Sequence, residues 1–145
     1  MAGFKILKDI NDSPAKKLPI SSLAVTIGDL LELAVGATTW TAVTASSEYF
    51  TRKAIAMETV TSSATEVLCQ EVNGTETVEV DCVAGTANAD DNGDRMIATD
   101  KDSINNTGTD DASENVVFIQ DGVGSTTSKI IGRIIVGNGV NPDAT

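Results

Sequence analysis

Twenty-one carboxylates stand in this chain without a single histidine beside them. That absence removes the commonest general base near neutral pH and the commonest transition-metal ligand. Cys69 and Cys82, the two cysteines, cannot make a four-thiolate zinc site. What remains is carboxylate chemistry, as a hard-cation site or as a paired acid and base. The run Asp90, Asp91, Asn92, Gly93, Asp94 has the oxygen-rich turn character that suits Ca²⁺. It departs from the EF-hand pattern, because with Asp90 as the first ligand Arg95 takes the place of the required glycine and Lys101 that of the bidentate glutamate. A solvated acidic turn is the reading adopted there, and for Asp100, Asp102, Asp110 and Asp111. A glycosidase needs two carboxyl groups several ångströms apart and, in a small β domain, rings on which a sugar can stack. Trp40, Tyr49 and three phenylalanines are all the aromatics the chain has. Gly122-Val123-Gly124 and Gly137-Asn138-Gly139 lack the lysine and following hydroxyl of a phosphate loop and read as turns. No catalytic residue, metal ligand or cofactor is expected, and the chain reads as a structural or binding module.

Ten basic residues against those carboxylates give a net charge of −11 over 145 residues, the length of one ordinary domain. So acidic a surface repels phosphate backbones, and no nucleic-acid partner is expected. The charge is uneven. Residues 66–121 hold fourteen carboxylates against Arg95 and Lys101, a net of −12, and the rest of the chain nets +1. Within residues 1–20, Lys5, Lys8, Lys16 and Lys17 outnumber Asp9 and Asp12, and Pro14 and Pro19 forbid a continuous helix. With Phe4, Ile6, Leu7, Ile10, Leu18 and Ile20 interleaved, the segment is predicted to be an extended basic arm whose hydrophobes need something to lie on. The expected division is an arm over 1–20 and one β-rich domain over 21–145.

The elements that must position any of these groups are strands. Thr, Val and Ile number 18, 14 and 12 against 7 Leu, and β-branched side chains suit a pleated surface better than a helix. An all-β fold follows, a compact β-sandwich or β-barrel-like domain with a long acidic loop. Aromatics at 3 % leave its core to short aliphatic side chains. No apolar run nears the about 20 residues that cross a bilayer as a helix, and MAGFKILKDINDS lacks an uninterrupted apolar stretch. No membrane partner is expected, and synthesis in a cytosol is.

LAVTI, LLELAV and TTWTAVT, within 23–44, read as strands parted by Gly28-Asp29 and Gly36. Trp40 shares a face with Thr38 and Ala42 and reads as core before interface anchor. Residues 47–60 stay open between a short helix and a strand. Asn73-Gly74 between TEVLCQEV and TETVEVDCV predicts a two-residue hairpin in which Val72 meets Thr75, Cys69 meets Val78 and Thr65 meets Cys82. That register parts Cys69 from Cys82 by roughly 13 Å at the usual strand rise. Such a gap is too wide for a disulfide, and two unbridged thiols are expected. Residues 84–114 read as a surface excursion with one strand near Met96–Ala98. NVVFIQDG and KIIGRIIVG then close the domain, with Gly132 marking a bulge or a close backbone approach.

An extended leading segment, a β domain containing LAVTIGDLLEL, an acidic excursion ending in NNTGTDDASENVVFIQDG and a closing KIIGRIIVG strand make up most of the chain. This layout resembles the small decoration, or cement, proteins of tailed-bacteriophage capsids. The resemblance is one of overall pattern. It implies a virion protein on the outer capsid surface, a dimer or trimer that bridges major capsid protein subunits and stabilises the expanded head. The composition of the arm then assigns Phe4, Lys5, Ile6, Leu7, Lys8, Lys16 and Lys17 to capsid contact. The apolar strands assign Leu31, Leu33, Trp40, Ile131 and Ile135 to contact between copies. The alternatives are another head-fibre or tail module and a carbohydrate-binding, adhesin-like domain.

Overall fold

The structure, a computed structural model, describes residues 3–9, 14–83, 86–107 and 113–137. Its strands are Lys5–Lys8 (β1), Lys16–Pro19 (β2), Leu30–Leu33 (β3), Thr41–Ala42 (β4), Arg52–Ala56 (β5), Glu66–Val72 (β6), Thr77–Cys82 (β7), Arg95–Asp100 (β8), Ser103–Ile104 (β9), Val116–Val123 (β10) and Lys129–Ile134 (β11). One sheet has the order β1-β7-β11-β10-β8-β9, the other β2-β6-β5-β3-β4. In the first, β9 also pairs in parallel with β7 through Asp81–Ser103 and Cys82–Ile104, so β7, β11, β10, β8 and β9 close into a five-stranded barrel. β11 takes one edge of β7, and β1 and β9 share the other. The second sheet curls without closing. Its ends come near enough for the Trp40 N–H to donate to the Pro19 carbonyl at 2.8 Å. The fold is compact and all-β, as the composition requires.

Alternation along the strands builds two cores. Leu31, Ala54, Ala56, Val67 and Cys69 face into the curl, where Leu18, Ile20, Val25 and Trp40 complete one cluster. Leu30, Ile55 and Val72 face the other way and join the barrel's Val78, Val80, Met96, Phe118, Ile130 and Ile134 in a second. Each large side chain enclosed this way contributes about 1.5–3 kcal/mol. The middle strands of the curled sheet are therefore apolar on both faces, which is why LLEL reads as a run and not as an alternation.

The Asn73-Gly74 turn is present, with Gly74 at φ +91°, but its flanking strands do not pair. β6 lies between β2 and β5, and β7 between β11 and β1, so the turn carries the chain from one sheet to the other. Glu76 holds it, accepting from the N–H groups of Asn73 and Gly74, while Asn73 Oδ1 accepts from the Thr75 N–H. A paired hairpin would turn Val67, Cys69, Val78 and Val80 to one side. The fold needs the first two in the curl and the last two in the barrel, so the predicted register is overturned. Cys69 and Cys82 are nonetheless both buried and unbridged, because they belong to different cores. Burial pushes the Cys69 thiol up to about 12.

The leading segment is extended but built into the body. β1 adds to the barrel sheet and β2 to the curled one, and Phe4, Leu18 and Ile20 are buried. What Phe4, Leu18 and Ile20 lie on is the protein's own sheets, while Leu7 stays exposed. The acidic excursion also folds further than expected, because β8 and β9 complete the barrel with Met96, Ala98 and Ile104 turned into its core. LAVTI supplies only the isolated bridge Val25–Val60, and residues 47–60, open between helix and strand, hold a loop over 47–51 followed by β5. Gly132 is a close approach: a Cβ there would stand 2.0 Å from the Ile119 carbonyl oxygen and 2.6 Å from the Phe118 ring. Ile10, Asp12, Asp110, Asp111 and the Asn138-Gly139 turn lie outside the described residues.

Candidate functional site

Asp29, Glu32, Glu76 and Glu79 are buried. Three of them clasp turns, as charged acceptors do strongly. Asp29 accepts from the Thr26 N–H at 2.9 Å and meets Lys101 Nζ at 3.4 Å. Glu76 holds the sheet crossing, and Glu79 accepts from the N–H of Ser125 at 2.7 Å and from its hydroxyl at 3.2 Å. These are structural carboxylates.

Glu32 is different, because the donors it accepts from are hydroxyls. It sits on β3 directly opposite Lys53 of β5, on the face that carries Leu30 and Ile55 toward the barrel. The Ser47 hydroxyl donates to Glu32 Oε2, and the Thr51 hydroxyl stands 3.1 Å from Glu32 Oε1. Ser47 Oγ in turn accepts from the Thr44 N–H at 2.9 Å, which fixes the loop that bears it. Lys53, 0 % exposed, donates to the Glu48 carbonyl at 2.8 Å, the Thr51 carbonyl at 3.2 Å and Thr51 Oγ1 at 2.5 Å. The loop is clamped over it from the barrel side: Tyr49 N–H donates to the Glu114 carbonyl, Asn115 Nδ2 to the Ser46 carbonyl and Gly137 N–H to the Thr51 carbonyl. Burial lowers the Lys53 ammonium to about 8, and the nearby Glu32 and Glu48 charges pull it partly back.

This chain of groups resembles a base beside a hydroxyl, and its geometry argues against that use. Lys53 spends all three N–H bonds on acceptors, which is how an ammonium is held. A general base needs its lone pair aimed at the hydroxyl proton. Above the cluster opens a cleft of about 440 Å³ whose walls include Glu32, Val35, Thr44, Ser47, Glu48 and Phe50. Lys53 lies beneath its floor. Sequence reading missed the whole cluster. The available signal was a lysine set among Ala54, Ile55 and Ala56, at the inward position of a strand.

The residues expected at the capsid separate into groups. Phe4, 3 % exposed, is packed into the core shared with the barrel and meets the surface only as part of the groove wall beside β1. Lys16 pairs with Glu71 at 3.1 Å and Lys17 with Glu58 at 2.7 Å. Hydrogen bonding to Lys17 holds Glu58 below the usual carboxylate range and raises Lys17. Lys5, Leu7 and Lys8 are exposed on β1 and Ile6 is half-buried. Beside β1 runs an apolar groove of about 160 Å³ lined by Phe4, Ile6, Ile27, Ile55 and Met57.

Of the expected self-contact residues, Leu31 and Trp40 are enclosed in the curl, because curling consumes the face they would have presented. Arg52 lies 5.5 Å over the Trp40 ring and forks onto Glu71 at 2.7 and 2.8 Å. Leu33, Ile131 and Ile135 are half-buried. The Asp90–Asp94 turn wraps a short 3₁₀ segment, Ala89–Asp91, tied down by the buried Gln120, whose Nε2 donates to the Asn88 carbonyl and Asn92 Oδ1. Among the described residues no group of three or more His, Cys, Asp or Glu is arranged to hold a metal, and no helix is long and apolar enough to cross a membrane.

Fold and sites together define a compact β protein, a closed barrel joined to a curled sheet, with a buried ion cluster beneath an acidic cleft. Comparison of the chain with protein-family models, curated proteins and solved structures gives no match.

Proposed function

We propose that this chain is a structural virion protein of a tailed bacteriophage, binding the outer capsid surface and cementing junctions between major capsid protein subunits in the expanded head. The layout of the sequence suggests the reading. The observation that carries it is β1: among the described residues it ends its sheet with no strand on its outer edge, exposes Lys5, Leu7 and Lys8, and borders the apolar groove. Among the described residues Lys5 and Lys8 form no ion pair. A strand of a neighbouring protein can add to such an edge, backbone bonds giving affinity and the groove taking one apolar side chain. Copies joined through the half-buried Leu33, Ile131 and Ile135 would engage several subunits at once, gaining on the order of 10²–10⁴ in avidity per linked site.

The test is co-sedimentation with shells assembled from the major capsid protein encoded nearest its gene, before and after expansion. Binding is expected to expanded shells alone, and the double variant Lys5→Glu/Lys8→Glu should weaken it severalfold while leaving the fold unchanged. Failure to sediment with either shell would overturn the proposal. Deleting the segment is not a usable control, because it removes Phe4 and two strands.

A further inference from the structure

The cleft over Glu32 is untouched by the β1 edge or its groove. We infer that it is a receptor for one arginine side chain carried on the surface of a partner protein. Its walls hold two carboxylates, Glu32 and Glu48, and no basic residue. Lys53, directly opposite Glu32, is sealed within the fold with its three N–H groups donated to Glu48 and Thr51. Lys53 therefore offsets part of the charge of Glu32 and Glu48 from beneath while the cleft is empty, and the walls themselves stay acidic. The net charge of −11 favours the approach of a cation and disfavours an anion.

Geometry narrows the cation to a guanidinium. Glu32 is oriented in advance by the Ser47 and Thr51 hydroxyls, and a carboxylate with one hydroxyl on each oxygen still has lone pairs to accept more. The Thr44 and Ser46 hydroxyls add neutral acceptors around the wall. Several oxygens of fixed direction suit a planar fork of five donors, and arginine gives up its hydration more readily than an ammonium does. Ala34, Val35 and Phe50 supply an apolar wall for the aliphatic stem. At about 440 Å³ the cleft is of small-ligand size, within the usual range of about 300–1,000 Å³. The inference does not depend on the partner being a capsid.

The experiment titrates the whole ¹⁵N-labelled protein with Nα-acetyl-arginine amide, and in parallel with its uncharged citrulline analogue and with Nα-acetyl-lysine amide. Saturable shifts confined to amides of residues 32–35 and 44–51 are expected with arginine, weaker with lysine and absent with citrulline, and they should diminish as salt is raised. Glu48→Gln should weaken arginine binding severalfold. Val35→Trp, at a position 53 % exposed on the wall, should fill the cleft and abolish it. Each spectrum reports whether its variant is folded, and Glu48→Gln decides alone if the tryptophan is not accommodated. No saturable shift, equal binding of citrulline, lysine bound as tightly as arginine, or undiminished binding by Glu48→Gln would overturn the inference. A Val35→Trp protein that loses arginine yet still sediments with shells would separate this site from the β1 edge.

Discussion

In the barrel each of the five strands has a bonded neighbour on both sides, and closure is completed by two short strands drawn from the most acidic part of the chain. In the curled sheet β2 and β4 remain terminal, their ends joined by the Trp40–Pro19 bond and by packing in the same cluster. A closed sheet offers no edge to another protein, and an open one must protect its edges or use them. The buried polar groups follow the same division. The barrel's Glu79 and Gln120 tie down its own turns, whereas Glu32, Ser47, Thr51 and Lys53 gather on one face of the curled sheet, under a cleft. Closure leaves the five barrel strands without a free edge, so the barrel sheet can offer a partner only β1, which lies outside the closed ring, while the curled sheet carries the cleft that holds Glu32 and Glu48.

The largest effect should come from breaking the barrel and listening in the curl. Phe118→Ala empties a fully enclosed site of the barrel cluster and is expected to cost about 3–5 kcal/mol. Trp40, the sole tryptophan, lies in the other core, so its fluorescence during urea unfolding reports on the curl. Because Leu30, Ile55 and Val72 join the barrel cluster, the Trp40 transition should shift by the full amount. An unmoved transition would mean that the two cores unfold independently.

Next in size is Lys53→Met, which strips its acceptors of their donor and Glu32 of its counter-charge, and should cost about 1–3 kcal/mol at neutral pH. Its signature is the pH dependence. Between about 8, the folded value, and the ordinary 10.5, the unfolded chain keeps the Lys53 proton while the folded one has released it. Raising the pH through that window therefore favours the folded state. Wild-type stability should gain on the methionine variant's disadvantage there, so that the difference between the two widens above pH 8; a constant difference would mean that Lys53 titrates normally. Smaller again is Arg52→Lys, which gives up the fork on Glu71 and the stacking on Trp40 for about 0.5–1 kcal/mol in a half-exposed setting, an effect that added salt should shrink.

These contrasts were unevenly legible in the sequence. Strand composition identifies β3, β6, β7, β8, β10 and β11, because runs of Val, Ile and Thr have few other ways to fold, but it leaves β5, with its RKAIA sequence, open between helix and strand. Asn73-Gly74 identifies a turn but cannot say whether its arms stay together, since that depends on which core is ready to receive Val67 and which Val78. β9 is illegible because two residues, Ser103 and Ile104, close a barrel only once β7 exists to pair with them. Leu31 and Trp40 look like surface for a second copy until the sheet curls over them. Lys53 is hidden by its type: lysine defaults to solvent, and only the barrel-side clamps at Glu114, Asn115 and Gly137 bury it.

The finest test sets an acid-side signature in the barrel against the alkaline one in the curl. At the β8–β9 turn, hydrogen bonding to Asp100, burial, and the charges of Asp100 and Asp29 raise Asp102 to about 6, while the same contact lowers Asp100. Between the ordinary 3.8 and about 6 the folded state keeps an Asp102 proton that the unfolded chain has lost, so this group favours folding more as the pH falls. Asp100 works in the opposite direction, which leaves a small net effect. Asp102→Asn should therefore stabilise the protein by up to about 0.5 kcal/mol at pH 7.5 and by nothing at pH 5, where wild type already carries the proton. A gain that persists unchanged at pH 5 would mean that the turn does not share a proton.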